Sequence, residues 1–151
     1  MKKLFAYLWV ALCLSLQATS HAAGVLQDLH GAPISLSSLS GKWVFINYWA
    51  SWCGPCVDEI AELNRFYQAN HPEGVEVFAV NFDAPSLSRQ RRLVQKFDIQ
   101  YPSLNPQSLG PLHLEAISVV PVTYVFDPTG HLHTTLYGGQ TRSSLQTAMK
   151  E

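Results

Sequence analysis

The chain has 151 residues, which is enough for one ordinary domain and little else. With 47% hydrophobic and 14% charged residues it is a packing chain, and a disordered polymer is excluded. A formal net charge of -1, with no basic stripe, excludes an electrostatic nucleic-acid binder, and a bundle of membrane spans is excluded by the lack of repeated long apolar runs.

The first residues read as a targeting segment. Met1-Lys2-Lys3 is a short positive start, and Leu4 to Leu16 is an apolar run of 13 residues. Residues 17–22 are polar and small. A secretory core of about 7–15 apolar residues has these flanks, whereas a membrane-spanning helix needs about 20. Ser20 and Ala22 suit the positions before a cleavage point, so residues 1–22 are expected to be a signal peptide cut after Ala22, with Ser20 the second choice. The alternative is an uncleaved membrane anchor. Cys13 falls inside the apolar run, where Leu12 is too bulky for a lipoprotein signal, and is read as packing. The expected domain is 23–151, with eight bases against eleven acids for a net charge of -3, and its expected place is the periplasm.

The predicted elements alternate. A short extended entry runs from Val25 to Leu29 and from Pro33 to Leu36. Trp43 to Trp49 is apolar on both faces and rich in β-formers, as a central strand covered on two sides requires. From Pro55 to about Asn70 the apolar residues Val57, Ile60, Ala61, Leu63, Phe66 and Tyr67 recur at helical spacing, and His71-Pro72-Glu73-Gly74 stops the pattern. Val75 to Phe82 is a second buried strand. Ser86 to Phe97 is predicted helical, with Leu87, Val94 and Phe97 inward and Arg89, Arg91, Arg92 and Lys96 mostly solvated. Val122 to Phe126 and His131 to Tyr137 flank the turn signal Asp127-Pro128-Thr129-Gly130 and form a hairpin. Gly138-Gly139 ends it, and Thr141 can cap a last helix through Lys150. Two β-α-β steps, a hairpin and a helix give an α/β fold with one mixed sheet.

Cys53 and Cys56 are the two cysteines left beyond the leader, three positions apart. A bridge closing so small a loop constrains little of the unfolded chain, so redox chemistry explains the pair better than stapling. The motif is Trp52-Cys53-Gly54-Pro55-Cys56, at the passage from a buried strand into a helix. Free N–H groups and the helix macrodipole favour an anion there, and the thiolate is the nucleophile of disulfide exchange. Cys56, one turn later, is placed to resolve a mixed disulfide. Pro55 suits the first helical turn, where its missing N–H costs nothing. A lone C-x-x-C lacks the further ligands of a structural metal site, so no metal is expected.

Residues 41–56 (GKWVFINYWASWCGPC), with Val119-Val120-Pro121-Val122-Thr123-Tyr124-Val125-Phe126-Asp127 and Gly130, resemble the two signatures of thioredoxin-fold proteins. The likeness is greatest to the exported TlpA/ResA-like thiol:disulfide oxidoreductases and spans about Val25 to Gly139. It implies a thioredoxin fold, a central mixed sheet flanked by helices. It implies that Pro121 is the family's cis-proline, presenting the backbone of Val120 to an extended partner chain. Trp52, beside the nucleophile, is a candidate partner contact, and Gly54-Pro55 is the dipeptide of strongly reducing thioredoxins. Asn47 stands where cytosolic thioredoxins carry a buried proton-accepting Asp, and it cannot take that proton. Glu59, three residues after Cys56, matches an acidic position of the group and becomes the candidate proton handler. Ala61 stands where a helix-kinking proline is common in the group.

The expected activity is protein-disulfide reductase, with Cys53 attacking, Cys56 resolving and no cofactor beyond the redox-active disulfide. Expected partners are protein thiols and disulfides such as apocytochrome c, together with a membrane-embedded electron donor; the protein is expected to be a monomer. The alternatives are a thiol oxidant, a thiol peroxidase, and a copper metallochaperone drawing on His131 and His133. A peroxidase would want Thr and Pro upstream of its cysteine, and Trp49-Ala50-Ser51-Trp52 supplies neither.

Overall fold

A computed structural model describes residues 24–150, so the expected signal peptide 1–22 and its cleavage site lie outside the described residues. Strands β1 (Val25–Gln27) and β2 (Pro33–Ser35) form a small antiparallel ribbon. The central sheet contains β3 (Trp43–Trp49), β4 (Val75–Asn81), β5 (Val122–Phe126) and β6 (Leu132–Tyr137), in the order β4-β3-β5-β6. β3 and β4 are parallel, while β5 runs antiparallel to both β3 and β6. One crossover is therefore a parallel β-α-β unit. The second expected step is not, because the chain reverses before β5 and pairs on the other side of β3.

Helix α1 (Gly54–Asn70) fills the parallel crossover, α2 (Leu87–Lys96) follows β4, and α3 (Arg142–Thr147) closes the chain. α1 runs without a break for 17 residues, through Ala61. A short 3-10 turn, His71–Glu73, follows it, and Gly74 then takes φ 87°, a conformation that costs glycine nothing. The alternation of β3 sends its side chains to two cores. Phe45 and Trp49 pack with Ile60, Leu63 and Phe66 of α1 and Leu145 of α3. Val44 and Ile46 pack on the opposite face with Leu26, Phe78, Leu104, Val122 and Tyr124. The strand is buried on both sides, as its continuous apolar run requires.

The helices depart from the expected pattern in detail. The buried stripe of α1 runs through Cys56, Glu59, Ile60, Leu63, Asn64 and Phe66, while Ala61 is exposed and Val57 only half-buried. Two polar residues replace two apolar ones because each satisfies something. Asn64 donates to Asp98 O at 2.7 Å and accepts the Gln100 N–H at 2.8 Å, which fastens the turn after α2 to α1. In α2 the one fully buried residue is Gln90, bonded to Pro85 O at 2.7 Å, and Arg91 is not free: it donates to Leu29 O at 2.7 Å. α3 stops at Thr147, three residues short of the expected end, although Thr141 caps it as expected and shares a capping box with Ser144. β6 starts at Leu132, which leaves His131 in the turn, hydrogen-bonded to Thr129 Oγ1. His133 packs edge-on against Trp43 at 5.1 Å. Among the described residues no group of three His, Cys, Asp or Glu is disposed to hold a metal ion.

Candidate active site

The site forms where β3 delivers the chain to α1. Cys53 is the N-cap residue of α1, in extended conformation with φ -91° and ψ 105°, and the Cys56 N–H donates to its Sγ at 3.2 Å. The sulfur thus occupies the place that a capping oxygen takes, facing the unpaired N–H groups of the first turn. Cys53 and Cys56 are joined as a disulfide with their Cα atoms 5.3 Å apart. Cys53 keeps 5% of its surface and Cys56 none, so the first cysteine holds what access there is.

The start of β5 meets this pair. The Val120–Pro121 bond is cis, and Val120 O lies 3.7 Å from Cys53 Sγ. Pro121 O accepts the Gly138 N–H at 3.0 Å, which ties this loop to the end of β6. Gly138 adopts φ 80°, a left-handed turn that glycine tolerates. Trp52 is 66% exposed, yet its indole N–H donates to Asp83 Oδ2 at 2.9 Å. Asp83 is itself placed by its N–H to Asn81 Oδ1 at 3.1 Å. An anchored aromatic therefore stands open to solvent beside Cys53, and Val119 is exposed as well.

Further along α1 lies a buried carboxyl. Glu59 is 3% exposed, one helical turn beyond Cys56. Its Oε1 accepts Asn47 Nδ2 at 2.7 Å and its Oε2 accepts the Gln140 N–H at 2.8 Å. Asn47 Nδ2 also donates to Thr123 Oγ1 at 3.0 Å, so β3, α1, β5 and the loop before α3 converge on this group. Burial pushes the Glu59 carboxyl up to about 7, against the opposing pull of the Gln140 N–H and the Asn47 amide. Tyr101 is pushed far up by its own burial, and then by the Glu59 charge. A carboxyl whose pKa burial raises toward neutrality thus lies one turn along α1 from Cys56.

The structure brings Trp52, Cys53, Gly54, Pro55, Cys56, Val120 and Pro121 together, with Glu59 one turn further along α1. Gln140, Thr123, Asp83 and Tyr101 were not foreseen. Gly138-Gly139 flagged a chain break before Gln140, but the donor in question is a backbone N–H, which side-chain identity does not reveal.

This arrangement, a disulfide capping the first turn of a helix against a cis-proline loop on a mixed sheet, defines a thioredoxin-fold thiol–disulfide oxidoreductase. Comparison with known proteins agrees. The profile of the AhpC/TSA family matches residues 19–135, and the chain belongs to that family. It is 32% identical over 126 residues to the thiol-disulfide oxidoreductase ResA of Halalkalibacterium halodurans, covering 83% of this chain and 71% of that one. It is 31% identical over 122 residues to ResA of Geobacillus kaustophilus, covering 81% and 70%. Among solved structures it is similar to StoA from Bacillus subtilis, with TM-score 0.64 and 20% identity over 82% of this chain and 93% of that one. A DsbF homologue from Corynebacterium diphtheriae has TM-score 0.68 and 25% identity over 81% and 79%.

Proposed function

We propose that the protein is an exported reductant of specific protein disulfides in the cell envelope. The observation that carries this reading is the placement of Cys53 Sγ, capped by the Cys56 N–H on one side and within 3.7 Å of Val120 O on the other. An extended partner chain lying along Val120 brings its disulfide to the sulfur that the helix terminus favours as an anion. The Cys53 thiolate attacks one partner sulfur, a mixed disulfide forms, and the other partner sulfur leaves as a thiolate that takes a proton. The Cys56 thiol gives its proton to Glu59 and attacks Cys53 Sγ. The second partner thiolate departs and takes a proton, and Cys53–Cys56 is left as a disulfide, having given up the two electrons the partner gained.

Trp52, Val120 and Pro121 form the docking surface, Gly54 and Pro55 shape the first turn, and no bound cofactor is needed. The expected signal peptide at 1–22 supports the reading of export to the periplasm. Each turnover leaves the disulfide form, so a membrane-embedded electron donor must reduce it again. Disulfides of the C-x-x-C-H type in apocytochrome c are the substrate class suggested by the resemblance to the TlpA/ResA-like group, and the protein acts as a monomer.

The test is to trap partners on Cys53 with Cys56→Ser in the native envelope and to titrate the wild-type pair against glutathione. Captured C-x-x-C-H proteins and a potential near that of thioredoxin, about -270 mV, are expected. A potential near -120 mV, the oxidising end of the related proteins, would reverse the direction assigned here.

A further inference from the structure

The amide of Asn47 carries an imbalance. Its Nδ2 makes two hydrogen bonds, to Glu59 Oε1 and Thr123 Oγ1, while its Oδ1 is buried with no partner among the described residues. Buried polar atoms are rarely left so, and each such atom calls for a reason. The orientation fits one state of the carboxyl. An ionised Glu59 has only acceptors to offer, and Thr123 can accept too, so the donor end of the amide must face both. A protonated Glu59 reverses the demand, because its O–H then needs an acceptor.

Turning the amide about its last torsion puts Oδ1 where Nδ2 stood, 2.7 Å from Glu59 Oε1 and 3.0 Å from Thr123 Oγ1. The Glu59 O–H and the Thr123 hydroxyl can then both donate to it, since a hydroxyl rotates to suit its neighbour. Two bonds are made in either state, and one amide atom stays unpaired in either state. The exchange therefore changes neither the number of bonds nor the buried volume.

We propose that Asn47 is a positioning residue whose amide turns over with each protonation of Glu59, keeping the carboxyl in one place in both charge states. This rests on the reading of Glu59 as proton handler. An aspartate at this place would add a second charge beside Glu59, and an apolar residue would serve neither state. The remaining groups about Glu59 do not compete for the role. Gln140 offers a backbone N–H that cannot become an acceptor, Tyr101 is held protonated by burial, and Cys56 exchanges the proton in question. Glu62, a turn further on, is taken up by Arg65 and by the Arg142 N–H.

The experiment is an NMR titration of the oxidised wild-type chain from about pH 4 to 9, following the Asn47 side-chain amide and the Glu59 carboxyl carbon. Both are expected to titrate with one midpoint, and the Overhauser contact from the amide protons to the Thr123 side chain should be lost on the acid side. Asn47→Leu removes a partner from both charge states, so it should move the Glu59 midpoint by well under the roughly one pH unit expected from loss of a fixed donor to the charged form alone. An amide that keeps its Thr123 contact through the Glu59 midpoint would overturn the proposal and leave the role of Glu59 standing. If Glu59→Gln leaves the pH–rate profile of disulfide exchange unchanged, the proton-handling reading fails first. The Asn47 switch would then have no part in the reaction.

Discussion

Replacing Glu59 by Gln should stabilise the oxidised protein at neutral and alkaline pH and leave it unchanged in acid. In the folded chain burial holds the Glu59 carboxyl at about 7, whereas its ordinary value is 4.5. The native state therefore binds more protons than the unfolded state between these two values, and stability falls as pH rises through that window. The contribution is fully present below about 4.5 and is lost once pH has passed about 7. The gap of about 2.5 pH units, at about 1.4 kcal/mol each, makes an ionised Glu59 cost about 3 kcal/mol relative to a neutral one. Gln has the shape and charge of the protonated acid: its oxygen can accept the Gln140 N–H, and its amide can donate to a turned Asn47. Urea unfolding of both proteins at pH 4, 6 and 8 measures the difference directly. The expected result is near-equal stability at pH 4 and a variant more stable by about 3 kcal/mol at pH 8, with equal m-values. A difference that stays constant across pH would show that Glu59 is not held neutral by burial, and the proton chemistry assigned to it would go as well.

Three further expectations follow from the same geometry. Alkylation of the reduced protein at neutral pH should modify Cys53 first, since Cys56 has no exposed surface; mass mapping of the labelled peptides checks it, and a first label on Cys56 would invert the assigned order of attack. Reduction of the disulfide should leave the circular dichroism spectrum intact and lower stability by no more than about 2 kcal/mol, because the bridge closes a loop of three residues' separation. Phe66→Ala, which empties a fully buried ring packed edge-on against Phe45 at 4.9 Å, should cost about 3–5 kcal/mol in urea unfolding, and a loss below 1 kcal/mol would contradict the packing described.

The sheet and the redox pair were legible in the sequence because each rests on a short-range signal. The two-faced apolar run of β3 can only be a covered strand, and a C-x-x-C at a strand-to-helix passage has a local physical meaning. Hairpin, turn and the Thr141 cap were legible for the same reason. What could not be read depends on contacts between distant residues. Glu59 and Asn64 break the apolar pattern of α1, so periodicity placed Val57 and Ala61 on its inner face instead. Only the tertiary fold supplies the partners that make those polar residues cheaper to bury: Asn47 and Gln140 for the first, the turn at Asp98 to Gln100 for the second. The reversal before β5 is of the same kind, since the side on which a strand joins a sheet is decided by its pairing and not by its composition.

The two cysteines, three residues apart, are told apart by what surrounds each. Cys53 sits on the helix cap, receives the Cys56 N–H and retains access, all of which favour a negative charge where a partner can reach it. Cys56 lies wholly inside, one turn from a carboxyl that is half-charged near pH 7. When Glu59 is ionised, like-charge repulsion opposes a thiolate at Cys56, yet the same carboxylate is then free to accept the Cys56 proton. Under the role proposed for Glu59, proton removal and charge repulsion are not separate events: the transfer that creates the Cys56 thiolate neutralises Glu59 in the same step. The resolving sulfur becomes charged only as its neighbour loses charge, so the buried site holds one negative charge throughout, and a buried site tolerates a second poorly. On the proposed mechanism, that conservation of charge accounts for a carboxyl at position 59 where β3 carries Asn47 and no acid.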